Sequence, residues 1–237
     1  MLVGKLSYLL KNNKEKNIME NRNRIIIILI IELLFCTLLY LGLRYQNTSA
    51  RRPPDQYAGS IPRIQSRNDK DHDGIDDQTD ILQSALNYVA AGPKYKSKYY
   101  QGGYPDDSCG VCTDVVANAL KNSGYDLMTL IQEDIAENPQ DYHIDKPDPN
   151  IDFRRVRNLS VFFSHTAIHL TTDISAIEEW QGGDIVIFRK HIGVISDRRN
   201  KNGVPYVIHH NDPWQKAYEQ DILEQRDDLT GHYRISE

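Results

Sequence analysis

The feature that most constrains this chain is a nineteen-residue run, Ile25 to Leu43, "IIIILIIELLFCTLLYLGL", broken by a single charge at Glu32. As a helix it would rise about 28 Å, close to the hydrocarbon thickness of a bilayer. It exceeds an ordinary signal-peptide core, and Arg44 follows where small cleavage-site residues would stand. The expectation is a transmembrane signal anchor over 25–44, with a cleaved export signal as the alternative. Six basic residues precede the run (Lys5, Lys11, Lys14, Lys16, Arg22 and Arg24), whereas Arg44, Arg51 and Arg52 follow it. By the positive-inside rule, residues 1–24 form a basic cytoplasmic tail and the rest is extracytoplasmic. Residues 1–44 carry seven Lys+Arg against three Asp+Glu, and residues 45–237 carry 21 against 30. An exported part of net charge −9 lacks the basic footprint that nucleic acid requires, so nucleic acid is excluded as a partner.

Residues 45–68 are polar, carry three prolines and lack apolar periodicity, which predicts a linker. Then "DKDHDGIDDQTD", residues 69–80, sets Asp69, Asp71 and Asp73 before Gly74, with Asp77 and Asp80 beyond. Alternating carboxylates before a turn-forming Gly suit a calcium ion, which takes six to eight oxygen ligands. The same residues also suit a plain acidic turn. The spacing resembles the calcium loops of thrombospondin and dockerin type.

From Thr79 the pattern becomes globular. Ile81, Leu82, Ala85, Leu86 and Val89 recur at helical spacing up to Gly92-Pro93, and Val115, Val116, Ala119 and Leu120 do so up to Gly124. "DLMTLIQEDIAENP" and "DFRRVRNLSVFFSHT" predict two further helices. "GDIVIFRK", "HIGVISD", "VPYVIHHND" and "GHYRIS" are short and rich in β-branched residues, with turns between them. Helices followed by an antiparallel meander make an α+β domain over 79–237.

Two cysteines, Cys109 and Cys112, stand three residues apart in "SCGVCTDVV". A cysteine at a helix start meets orphan N–H groups that favour a thiolate and can hold an oxyanion. Thr113 and Asp114 suit that first turn. A nucleophilic cysteine also needs a base and a group to orient the base. His191 and His209, on adjacent strands, offer both. Alternatives on the same residues are a Cys109–Cys112 disulfide or redox pair, and a zinc site of Cys109, Cys112, His191 and His209. Arg154 and Arg155 are either a solvated helix face or a clamp for a substrate carboxylate.

The order "YYQGG…CTDVV", "GGDIVIF", "HIGVIS", "VIHH" resembles the papain-like cell-wall peptidases of the NlpC type. The segments "GVCTDVV", "PDPNIDFRRVRNL", "GDIVIF", "HIGVISD", "VIHH" and "GHYR" resemble a bacterial family catalogued as domain of unknown function 1287. The NlpC resemblance implies a papain-like fold with Cys112 as nucleophile, His191 as general base and His209 as the orienting residue. His210, Asn211 and Asp197 are rivals for that third role. It also implies Tyr100, or Tyr99, beside the oxyanion. Val111-Cys112-Thr113-Asp114 departs from the D-C-S-G of those enzymes. The implied activity is a membrane-anchored cysteine peptidase or amidase that needs no catalytic cofactor and acts on the peptide part of peptidoglycan. The alternatives are a non-catalytic, calcium-braced wall-binding module, and a transpeptidase or transglutaminase-like acyl transferase.

Overall fold

A computed structural model describes the backbone of residues 2–237. Met1 lies outside the described residues, as do the side chains of 2–13 and 15, among them Lys5 and Lys11 of the expected cytoplasmic tail. The chain divides into two units, Met1–Tyr45 and Gln46–Glu237.

The first unit is one helix, α1 (Leu2–Arg44). The basic tail and the apolar run are therefore continuous helix, because no proline interrupts them and Leu, a strong helix former, is the commonest residue. Its stretch Lys16–Arg44 is long and apolar enough to cross a membrane, consistent with a single-pass anchor.

The second unit is a mixed α+β domain. It begins with α2 (Asp77–Ala90), whose N-cap Asp76 accepts from Thr79 N–H. Two-residue strands β1 (Lys94–Tyr95) and β2 (Cys109–Gly110) pair in parallel, Tyr95 opposite Gly110. They lead into α3 (Cys112–Asn122), α4 (Leu127–Glu137), the single turns α5 (Pro139–Tyr142) and α6 (Pro149–Asp152), and α7 (Val156–Thr166). The helix expected over "DFRRVRNLSVFFSHT" is α7, which starts four residues later at Val156, while Asp152 ends the α6 turn. Strands β3 (Ile168–His169), β4 (Ile185–Phe188), β5 (His191–Arg199), β6 (Pro205–Ile208), β7 (Glu219–Gln220) and β8 (Leu229–Arg234) form one antiparallel sheet in the order β3-β8-β4-β5-β6-β7. The meander expected from the Val/Ile runs is β4-β5-β6. The short edges β3 and β7 carry too few residues to show a period.

Alternation along β4 and β5 divides the core. Ile185, Ile187, Ile192 and Val194 join α2, α3, α4 and α7 in the larger cluster; Val186, Phe188 and Ile195 pack with Trp180 and Leu223 in the smaller. Asp184, fully buried before β4, accepts from Gln78 Nε2, Gln181 N, His232 Nε2 and both Nε and Nη2 of Arg234, at 2.8–3.0 Å.

The expected linker is not a free tether. Gln46 N donates to Pro213 O, Ser49 N to Lys216 O, Gln56 N to Arg199 O and Arg67 N to Glu237 O. A segment without apolar periodicity can still be fixed through its main chain, a mode of attachment that side-chain patterns do not report.

Candidate active site

Cys112 is the first residue of α3 and is half-buried. Asp114, at the third helical position, accepts from Val111 N–H at 2.8 Å, which closes the helix start. Gly110 is required beneath it, since a Cβ there would lie 2.1 Å from the Tyr88 hydroxyl. The Cys112 sulfur faces the backbone N–H groups of Ile192, Thr113 and Cys112 itself. Burial pushes its thiol up to about 11, although these N–H groups pull the other way. Among the described residues the sulfur has no hydrogen bond to an imidazole. Its link to the sheet is the N–H of Ile192, the neighbour of His191.

His191 opens β5, and its Nε2 lies 2.8 Å from His209 Nδ1. His209 follows the end of β6, whose last residue Ile208 pairs with Val194 on β5, one residue after Gly193. A Cβ on Gly193 would lie 2.6 Å from Val207 Cγ1, 2.8 Å from Ile208 O and 3.3 Å from His209 Cβ. Both imidazoles are buried. Burial, helped by the charge of Arg226, holds His191 down at about 4; burial, with His191 next, holds His209 well below the ordinary range.

Gln215 constrains the proton arrangement. The buried Gln215 amide donates from Nε2 to His209 O at 3.0 Å and Ala217 O at 2.7 Å, and its Oε1 accepts from Asn211 N. Both amide hydrogens are thereby used, and the 3.4 Å approach of Nε2 to His209 Nε2 carries no donor. His209 Nε2 therefore receives no hydrogen from Gln215. In the tautomer pair that has His209 Nδ1 accepting, His191 donates from Nε2 and keeps Nδ1 without a proton.

The other expected residues divide. His209, not its rivals, meets His191. His210 is buried with Nδ1 unpartnered and its ring 5.2 Å from Tyr95, edge-on. Asn211 is exposed, and Asp197 pairs with Arg52 and Arg63. Tyr100 donates to Asp107 Oδ1 at 2.7 Å, and its ring lies against the Lys98 and Arg154 cations; Tyr99 is exposed. The Tyr100 hydroxyl is therefore not presented to an oxyanion here. Tyr95, opposite Gly110 on the strand that leads to Cys112, has its hydroxyl pushed up by burial first and then by the charges of Cys112 and Asp212. With 14 tyrosines in the chain, no sequence signal marks it.

Arg154 is a correction. It is buried, forks onto Asp114 at 2.6 and 2.9 Å and donates to Lys98 O at 2.7 Å, so it offers nothing to a substrate carboxylate. Arg155 is half-buried beside Asp152 at 3.4 Å. The charge of Arg226, which stacks over Phe188 and pairs with Asp228, acts on both histidines.

Cys109 and Cys112 are free thiols. Among the described residues the acids that converge are Asp69, Asp71 and Asp73, whose ligand atoms lie within 4.8 Å of one another; the cysteine–histidine set proposed for zinc does not converge. Asp77, expected as a further ligand, instead accepts from Lys70 N at 2.8 Å and from the Tyr125 hydroxyl. Asp80 lies buried outside the trio, its carboxyl pushed up by burial and also by Asp71 and Asp73.

A family model described as "Domain of unknown function (DUF1287)" matches residues 82–235. A protein of Escherichia coli (strain K12) named "Uncharacterized protein YijF" is 40% identical over 152 residues, which cover 60% of this chain and 72% of that protein. No solved structure matches. The family match begins after α1, the strap 46–68 and the acidic loop.

Proposed function

The chain belongs to the family of unknown function DUF1287, and on that footing we propose that its folded unit is a cysteine hydrolase cleaving an amide bond. The observation that carries the reading is the 2.8 Å contact of His191 Nε2 with His209 Nδ1, beside a cysteine at a helix start whose sulfur faces Ile192 N–H. A helix-borne cysteine packed on an antiparallel sheet is also the arrangement that the NlpC-type resemblance implies, and it supports a papain-like fold.

In the mechanism His191 Nδ1 takes the Cys112 proton as the sulfur attacks the carbonyl carbon. The N–H groups at the α3 start and of Ile192 receive the oxyanion. Collapse breaks the C–N bond, and His191 returns the proton to the leaving amine. Water, deprotonated by His191, then hydrolyses the thioester. His209 steadies the imidazolium. With the thiol held high and the imidazole low, the resting pair is neutral, and charge develops when substrate closes the site.

The substrate class, peptidoglycan peptide, rests on the family resemblance and the expected extracytoplasmic location. The test incubates the full-length protein in detergent with cell-wall sacculi and reads the released fragments by mass spectrometry. Fragments from wild type and none from Cys112→Ala are expected; equal products would sink the nucleophile. Products joined to an added amine would favour an acyl transferase.

A second reading concerns the acidic loop. Convergence of Asp69, Asp71 and Asp73, with Asp80 behind them, favours a calcium-braced entry to α2. Calorimetry with calcium should show binding that Asp71→Asn abolishes; no heat from wild type would leave a plain acidic turn.

A further inference from the structure

The walls of the site are tied together by a residue from the expected linker. Gln46 donates its backbone N–H to Pro213 O at 2.7 Å. Its side-chain amide forms a two-bond ladder with the main chain of Tyr95: Nε2 donates to Tyr95 O at 2.8 Å, and Oε1 accepts from Tyr95 N at 2.7 Å. Ser49 continues the attachment, its N–H donating to Lys216 O and its carbonyl accepting from Tyr218 N, both at 3.0 Å, with a parallel bridge to Ala217. Arg52 forks onto Glu219 at 2.9 Å.

These contacts join two pieces, one leading into Cys112 and the other holding His209. One is β1, whose Tyr95 pairs with Gly110, two residues before Cys112. The other is the 211–217 turn, whose Gln215 holds the His209 carbonyl. The Tyr95 ring rests edge-on against His210 where the two meet.

The backbone of Gln46 adds an independent observation, for its φ is +56°. A residue with a Cβ is disfavoured in this left-handed region and stays there when its surroundings fix it. The three hydrogen bonds supply that fixing. Arg44 ends α1, so Tyr45 alone separates it from Gln46 in the chain.

We propose that Gln46 is a positioning residue of the Cys112 site, clamping Tyr95 and the Pro213 turn so that the Tyr95 ring closes over the sulfur. The proposal rests on the hydrolase reading. Through Gln46, the chain that leaves the apolar helix is built into the site wall, and loosening it hydrates Cys112 and disorders the wall.

The experiment uses full-length protein in detergent and measures the rate of Cys112 alkylation by iodoacetamide at fixed pH, by peptide mapping with Cys109 as internal reference. Asn adopts the left-handed region readily, but its amide is one methylene shorter. Gln46→Asn therefore keeps the backbone and loses the ladder. Gln46→Asn should speed alkylation of Cys112 at least about threefold while slowing fragment release from sacculi. Tyr95→Ala should speed alkylation as well, and the double variant should go no further than Tyr95→Ala alone, because Gln46 acts through Tyr95. Unchanged alkylation in Gln46→Asn, or multiplicative effects in the double variant, would overturn the clamp. Failure of the hydrolase reading appears elsewhere, as fragment release indifferent to Cys112→Ala, since alkylation reports on the surroundings of the sulfur whether or not it turns over.

Discussion

Two buried polar clusters share one sheet and are built in opposite ways. Around Asp184, at the start of β4, five donors from four residues surround one carboxylate, two of them from the Arg234 guanidinium. Around Cys112, where β5 starts, burial is not compensated: the thiol is held up, both imidazoles are held down, and His210 Nδ1 lacks a partner. The first cluster has its donors already in place around the carboxyl group. The second withholds charge until something else arrives. Paired donors make scaffold, whereas groups kept from ionising in a polar corner are what a reaction site needs.

Breaking each cluster should therefore have different consequences. The largest effect is on chemistry: Cys112→Ala should lower fragment release by about 10⁴-fold, with the melting temperature little changed. The converse is Asp184→Ala, which strands Arg234 and His232 and should cost about 3–5 kcal/mol in urea unfolding. The full contrast fails if Asp184→Ala unfolds normally. Acidity probes the second cluster through its imidazoles. The pKa of His191 is lower in the folded chain, about 4 against an ordinary 6.5, so the unfolded chain binds its proton first. The stability held by keeping it neutral is complete above pH 6.5 and is lost as pH falls from there toward 4, about 3 kcal/mol in all. Cys112 has the opposite sign: its contribution is complete below its ordinary 9.0 and is lost as pH rises toward 11. Stability measured across both windows should slope accordingly in wild type, and the acid slope should become shallower in His191→Gln without vanishing, because His209 and His210 are held down with the same sign.

Gly193→Ala sharpens the comparison by moving a wall without touching a titratable group. The added Cβ displaces Val207 or the Ile208 carbonyl, for about 1–3 kcal/mol of stability, and pushes His209 out of line, so fragment release should fall by roughly tenfold or more. The smallest effect is Arg155→Ala, within about 0.5 kcal/mol in stability. A large rise in KM there would restore Arg155 as a substrate contact.

What the sequence made legible was periodic or punctuated. α2 and α3 were readable from apolar spacing with Gly stops, and the β4-β5-β6 meander from Val/Ile runs between turns. The pairing of His191 with His209 followed from that meander. What escaped was fixed through the main chain or by a partner distant in sequence. Arg154 looked like a surface cation because Asp114, forty residues earlier, gives no hint of pairing with it. The strap 46–68 looked free because its attachments are carbonyls and N–H groups. Tyr95 outranks Tyr100 because a two-residue parallel ladder, too short for a pattern, brings it beside Gly110.

The elevated thiol has a further consequence, for durability. Oxidants attack the thiolate, and a cysteine kept near pKa 11 exposes very little of it at neutral pH. On the hydrolase reading, the resting sulfur is protected among peroxides and becomes vulnerable when a substrate draws off its proton. Timed exposure to hydrogen peroxide should therefore convert Cys112 to sulfinic acid more slowly than free cysteine. A faster conversion would mean that the resting sulfur is already charged.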